Sequence, residues 1–189
     1  MNKQKTIYAG ITRTIWGYFF VYFDFKIGTL SVTPKFIGIW LFLSAIDLLK
    51  DEQQDMELLR PFANILLLWN FAEWAAAWGG ISIQEYFPLI SAIVGIINMY
   101  FHFQLMTDFA ALANRYAPAD SMIESTLLIW RSIQTVLLTC ITLIGYMESW
   151  NFKYKEAIQF WMAIIYVFAG IFVIWELFSL RKVFLEDEE

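Results

Sequence analysis

Residues Ala157–Leu180 read AIQFWMAIIYVFAGIFVIWELFSL, twenty-four positions with a single charged residue, Glu176. As a helix at about 1.5 Å per residue the run is about 36 Å long, enough to cross about 30 Å of bilayer hydrocarbon. Five more apolar stretches precede it. They cover residues 7–25, 34–49, 61–81, 87–113 and 123–147, with 157–180 as the sixth. The second is the shortest clean run, Phe36–Ile46. The expectation is an all-α polytopic transmembrane bundle of about six helices in one integral membrane domain, residues 1–189.

Composition agrees with this. The chain is 59% hydrophobic and 16% charged, with a mean hydropathy of +0.54. Soluble domains run at about 45–50% apolar and about 25% charged. A chain of this length cannot use the excess as extra soluble core, because its surface must still face water. A lipid-facing exterior uses it directly. The eighteen Phe, nine Tyr and nine Trp also suit aromatic belts at the bilayer interfaces.

Punctuation and charge refine the picture. Pro34, Pro61, Pro88 and Pro118 fall at or just before span starts, where the missing N–H has no helical partner to lose. With a cytoplasmic N-terminus, the inner segments hold eight cations: Lys3, Lys5, Arg13, Lys50, Arg60, Arg115, Arg181 and Lys182. The outer segments hold four: Lys26, Lys35, Lys153 and Lys155. This bias places both termini in the cytoplasm. In the Asp47–Arg60 connection, Leu48, Leu49, Met56 and Leu59 fit one stripe of a helical extension of the second span. No cleavable leader or lipid-anchor motif is seen, so the first span is expected to act as its own insertion signal. The net charge is −5, and four acids lie in the Glu186–Glu189 tail, which argues against nucleic-acid partners.

Polar residues at membrane depth carry the functional reading, because a charge there costs about 2.5–3.5 kcal/mol on insertion scales. Glu73 is twelve residues into the third span, with Asn70 one turn earlier on the same face. Asn98 on the fourth span is expected at similar depth, with His102 four residues on. Glu73, Asn70, Asn98 and His102 are the candidate ligand-binding set: a proton- or cation-binding carboxylate with amide ligands. The bland alternative is a structural glutamate and a hydrogen-bonded core histidine. Asp108 and Arg131 form a second constellation, an ion pair or gate between the fourth and fifth spans. Gln104 and Gln134 are on the faces of these two charges. Asp24, Asp47 and Glu176 read as interfacial carboxylates.

Small residues at Ala72, Ala75, Ala76, Gly79, Gly80, Ser91 and Gly95 predict close packing of the third and fourth spans. Trp69, Trp74 and Trp78 either line a pocket or face lipid. Cys140 is the single cysteine, so no internal disulfide forms, and it reads as a packing residue. No metal-ligand spacing, phosphate loop, HExxH or GxSxG is present, so no metal, cofactor or catalytic residue is expected.

The stretch Tyr22–Gly38, YFDFKIGTLSVTPKFIG, resembles small multispanning membrane proteins of Gram-positive Firmicutes. These join their first two spans through an aspartate, an Ile-Gly pair and Pro-x-Phe-Ile-Gly. The corresponding residues here are Asp24, Ile27-Gly28 and Pro34-Lys35-Phe36-Ile37-Gly38. The resemblance covers under a tenth of the chain. It implies a multi-pass protein of the bacterial cell membrane and transfers no functional residues. Read physically, the segment ends the first span at Asp24, turns at Gly28 and opens the second helix at Pro34.

The functional expectation is a transport-related protein, a small carrier or the membrane subunit of a transporter, with the lipid bilayer and a small solute or ion as partners. The alternative is a non-catalytic accessory or sensory protein working through helix contacts with a membrane partner or a second copy. A membrane-embedded enzyme is the third reading, and the missing motifs weigh against it.

Overall fold

The computed structural model describes residues 3–23, 25–27, 30–146 and 154–185. Asp24, Gly28, Lys153 and the Glu186–Glu189 tail lie outside the described residues. The chain is all-helical apart from a two-rung hairpin. Its seven helices among the described residues are α1 (Lys3–Tyr22), α2 (Lys35–Leu49), α3 (Arg60–Trp78), α4 (Ile83–Tyr86), α5 (Pro88–Tyr116), α6 (Ile123–Tyr146) and α7 (Lys155–Val183). A 3₁₀ segment, Gln54–Leu59, leads into α3. The hairpin between α1 and α2 pairs Lys26 with Ser31 and Ile27 with Leu30.

Local chemistry sets the helix ends. Pro61 and Pro88 occupy the first turns of α3 and α5. Gly80, at φ +69°, ends α3, with Gly80 N–H donating to the Ala77 carbonyl and Ile81 N–H to that of Ala76. This is a Schellman closure, which needs a residue free to adopt the left-handed conformation. The expected helical extension through Asp47–Arg60 does not form. The chain leaves α2 at Leu49, turns, and re-enters as the 3₁₀ segment. Leu49, Met56 and Leu59 nevertheless share one buried cluster.

Among the described residues, three helices are long and apolar enough to cross a membrane: Pro88–Tyr116, Ile123–Ile144 and Glu156–Val183, with mean hydropathies of 1.6, 1.8 and 2.2. Only 22, 11 and 17% of their apolar windows are buried by the rest of the chain, so most of that surface needs an apolar surrounding. The other long helices miss the mark for readable reasons. α2 has 15 residues, about 22 Å. α1 carries Lys3, Lys5 and Arg13, while α3 carries Arg60, Asn70 and Glu73.

The six long helices form a ring in chain order, α1–α2–α3–α5–α6–α7, which α7 closes against α1. The tightest seam joins α1 to α2. A Cβ on Gly38 would lie 2.7 Å from the Gly17 carbonyl oxygen, and one on Gly17 would lie 2.5 Å from Phe42. The thinnest seam is α3 against α5, where the sequence predicted close packing. Ala72, Ala75 and Gly79 are exposed there, and a Cβ on Gly95 would meet nothing within 4 Å. Ser91 and Gly95 of α5 line a cavity that none of the small residues of α3 lines, so these residues do not bring the two backbones together.

The ring is packed at one end only. Ile7, Ile11, Ile46, Leu49, Met56, Leu59, Ala63, Leu105, Phe109, Leu112, Leu177 and Leu180 fill the end where α1 begins. At the opposite end, residues 79–90 of the α3–α5 connection are exposed almost throughout, and none of residues 156–168 of α7 is buried. Midway, Tyr18, Phe42, Phe101 and His102 meet with ring centroids 4.8–5.7 Å apart and fill the axis.

Candidate functional site

A cavity of about 310 Å³ occupies the open half, above the aromatic packing. Every long helix of the ring contributes: α1 through Tyr22, α2 through Lys35 and Ile39, and α3 through Trp69, Asn70 and Glu73. Then α5 supplies Ser91, Val94 and Asn98, α6 Leu138, and α7 Tyr166. Gln84 of the short helix α4 lines the mouth. This placement follows from the up-and-down course of the chain, which collects the second halves of α1, α3 and α6 with the first halves of α2, α5 and α7.

Glu73, Asn70 and Asn98, read from sequence as one set, therefore line one cavity. Glu73 is five residues from the end of α3, about 7.5 Å, and four residues, about 6 Å, past its midpoint at Trp69. Its Oε1 accepts a hydrogen bond from Gln84 Nε2 at 2.9 Å. Asn70 Nδ2 donates to the Leu66 carbonyl at 2.7 Å, leaving its side-chain oxygen available. Trp69 is the one tryptophan of its set that lines the cavity. Trp74 and Trp78 instead meet edge to face, as do Trp74 and Phe36.

His102 belongs elsewhere. Although one turn from Asn98, it lines a separate void of about 10 Å³ with Arg131, Gln134 and Tyr166. That is close to the space of a single water. The floor between the two spaces is built by Tyr22, Tyr166 and Leu138. The Tyr22 and Tyr166 rings meet edge to face at 5.8 Å, and Gln134 Nε2 donates to the Tyr22 hydroxyl at 2.7 Å. His102 itself is held among the rings of Tyr18, Phe42 and Phe101, and its Nδ1 has no hydrogen-bond partner.

The expected pair Asp108–Arg131 is not made. Arg131 Nη1 donates to Thr107 Oγ1 at 2.8 Å, and the guanidinium lies 4.1 Å from the centroid of the Phe103 ring. Asp108 is 1% exposed and accepts from Gln104 Nε2 at 3.0 Å. It points toward Gln53 and Asp55 of the α2–α3 connection. Residues 107 and 108 differ by about 100° around α5, so the neighbouring threonine, and not the aspartate, faces α6. Gln104 does share a face with its acid, as its spacing of four requires. Gln134 serves Tyr22 instead of Arg131.

Two polar ties were not singled out in the sequence. Arg13, deep in α1, donates to the side chain and carbonyl of Ser44 on α2. At the closed end, Lys3 bridges to Glu52 at 2.9 Å, the Tyr116 hydroxyl donates to Glu52 at 2.8 Å, and Arg115 donates to the Glu52 carbonyl at 2.7 Å. Arg60 and Asp47 pair at 2.9 Å beside them. Among the described residues no three of His, Cys, Asp and Glu gather as a metal site. Cys140 is a free thiol. No family model matches the chain, and neither the curated proteins nor the solved structures compared with it give a match.

Proposed function

We propose that the chain is a multi-pass protein of a bacterial cell membrane, spanning it with its six long helices and keeping both termini in the cytoplasm. In this reading it is a small carrier, or the membrane subunit of a transporter, that takes a small polar solute into the Glu73 cavity. The single observation behind it is the cavity itself. A space of about 310 Å³ lined by a carboxylate and amides is set over a packed half, in a chain whose apolar helices are mostly unburied. Such a ring is accessible from one side and closed to the other, the arrangement an outward-facing carrier needs.

The test is a thermal-shift screen of purified protein in detergent against ions and small polar solutes, with wild type beside Glu73→Gln. A solute held only by the folded state raises stability by RT ln(1 + [L]/Kd), about 2.7 kcal/mol at a hundred times Kd. At least one solute is expected to stabilise wild type and lose most of that effect in Glu73→Gln. Equal responses from both proteins remove Glu73 from the site.

An accessory protein is the second reading. It draws on an apolar hollow of about 310 Å³ on the outer surface of α2 and α3, lined by Phe36, Ile37, Trp40, Leu67, Leu68 and Phe71. A partner's apolar ridge would fit it, and so would a lipid chain.

A further inference from the structure

We propose that the cavity is built for a small zwitterion, with its ammonium group at Glu73 and its carboxylate at Lys35; this rests on the solute-binding reading above. Both charges line the same cavity, from α3 and from the first residue of α2. Among the described residues neither forms a salt bridge, with the other or with a third group. Lys35 is exposed and Glu73 half-buried on the wall of this cavity, so a ligand entering it meets both side chains. They come from two different helices, α3 and α2, and give the cavity one negative and one positive pole.

Ligands of a single charge fit this slot badly. A simple cation satisfies Glu73 and is repelled by Lys35, and a simple anion meets the reverse. A zwitterion satisfies both poles and enters as a neutral whole. The remaining lining suits such a molecule. Gln84 occupies Oε1 of Glu73 and leaves Oε2 for an ammonium group. Asn98 and the free oxygen of Asn70 add hydrogen-bonding groups beside it. The faces of Trp69, Tyr22 and Tyr166 provide apolar wall and a favourable surface for a cationic head. The volume is at the small end of ligand pockets, about 300–1,000 Å³. It takes an amino acid or a betaine and excludes a long peptide.

The experiment measures binding to the full chain in detergent or nanodiscs. The probes are leucine, isoamylamine (which lacks the carboxylate), 4-methylpentanoate (which lacks the amine) and glycine betaine. Wild type is expected to bind one of the zwitterions at least tenfold more tightly than either singly charged analogue. Lys35→Gln should erase the preference for leucine over the amine, and Glu73→Gln the preference for leucine over the acid. Preference for betaine over leucine identifies a quaternary head, and the opposite preference a primary one; either supports the proposal. Lys35→Arg and Glu73→Asp keep the charges and should retain the preference, which separates loss of a pole from loss of fold. Equal binding of the amine and leucine by wild type overturns the zwitterion while leaving a cation cavity intact. If neither these probes nor the solute screen yields any binding, both readings fall.

Discussion

Gln134 of α6 donates a hydrogen bond to the hydroxyl of Tyr22 on α1 at 2.7 Å, across the axis of the helix ring. The bond forms the floor of the Glu73 cavity and the roof over His102. Gln134 is 5% exposed, so its amide has little access to water as a substitute. Removing the hydroxyl in Tyr22→Phe should lower stability by about 1 kcal/mol, within the range of 0.6–2 kcal/mol expected of interhelical bonds in membranes. Reversible unfolding in mixed micelles measures it. No change in Tyr22→Phe together with a large loss in Gln134→Leu would show that the amide packs without bonding.

Gly38 and Gly10 separate two kinds of close contact. An added Cβ at Gly38 meets backbone, the Gly17 carbonyl oxygen at 2.7 Å, and α1 and α2 must move apart to admit it. At Gly10 it meets the Leu49 side chain at 2.6–2.9 Å, which can change rotamer. Gly38→Ala should therefore cost about 2–3 kcal/mol and Gly10→Ala about 1 kcal/mol. Melting temperatures of the two variants, compared side by side, give the order.

Asp108 and Arg131 should behave as independent residues. Each finds its own partners, Gln104 for the acid and Thr107 with the Phe103 ring for the guanidinium. A double-mutant cycle through Asp108→Asn and Arg131→Gln is expected to give a coupling below about 0.5 kcal/mol. A coupling of several kcal/mol would instead mean that the two pair in the membrane.

Acid should loosen the closed end. The salt bridge from Lys3 lowers the Glu52 carboxyl below its ordinary value of 4.5, and the Tyr116 hydroxyl adds to this. A depressed folded-state pKa contributes stability that is present above 4.5 and lost as pH falls through the lowered value. The Lys3 ammonium is raised above 10.5 by hydrogen bonds to Tyr116 and Glu52. Its share is present below 10.5 and lost as pH rises past the raised value. The tie should thus be complete between about pH 5 and pH 10. Both groups are near solvent, so the effect is small and salt-sensitive. Glu52→Gln should flatten the fall in melting temperature below pH 5, while Glu124→Gln should leave the fall attributable to Glu52 in place.

Much of the architecture was legible in the sequence because it is local. Runs such as Ala157–Leu180 specify helices by composition alone, and Pro61, Pro88 and Gly80 mark ends through backbone chemistry that needs no tertiary partner. Pairs spaced by four on one helix were legible too, as Gln104 and Asp108 show. Asn98 and His102 mark the limit of that rule. They share a face, yet a rise of about 6 Å is enough to put a tyrosine floor between them.

Only the tertiary structure decided which polar groups meet. The rotation of α5 by one residue turns Thr107, not Asp108, toward Arg131. The same packing leaves Ala72, Ala75 and Gly79 of α3 exposed and sets Ser91 and Gly95 of α5 on the cavity wall, while Gly17 and Gly38 bring α1 and α2 into contact. Lys35 drew notice in the sequence only as a flanking cation, because nothing local ties it to Glu73. Hydrophobic runs determine where helices form, whereas their rotation and tilt depend on side-chain packing between distant segments. The cavity and its two opposite poles are products of that packing.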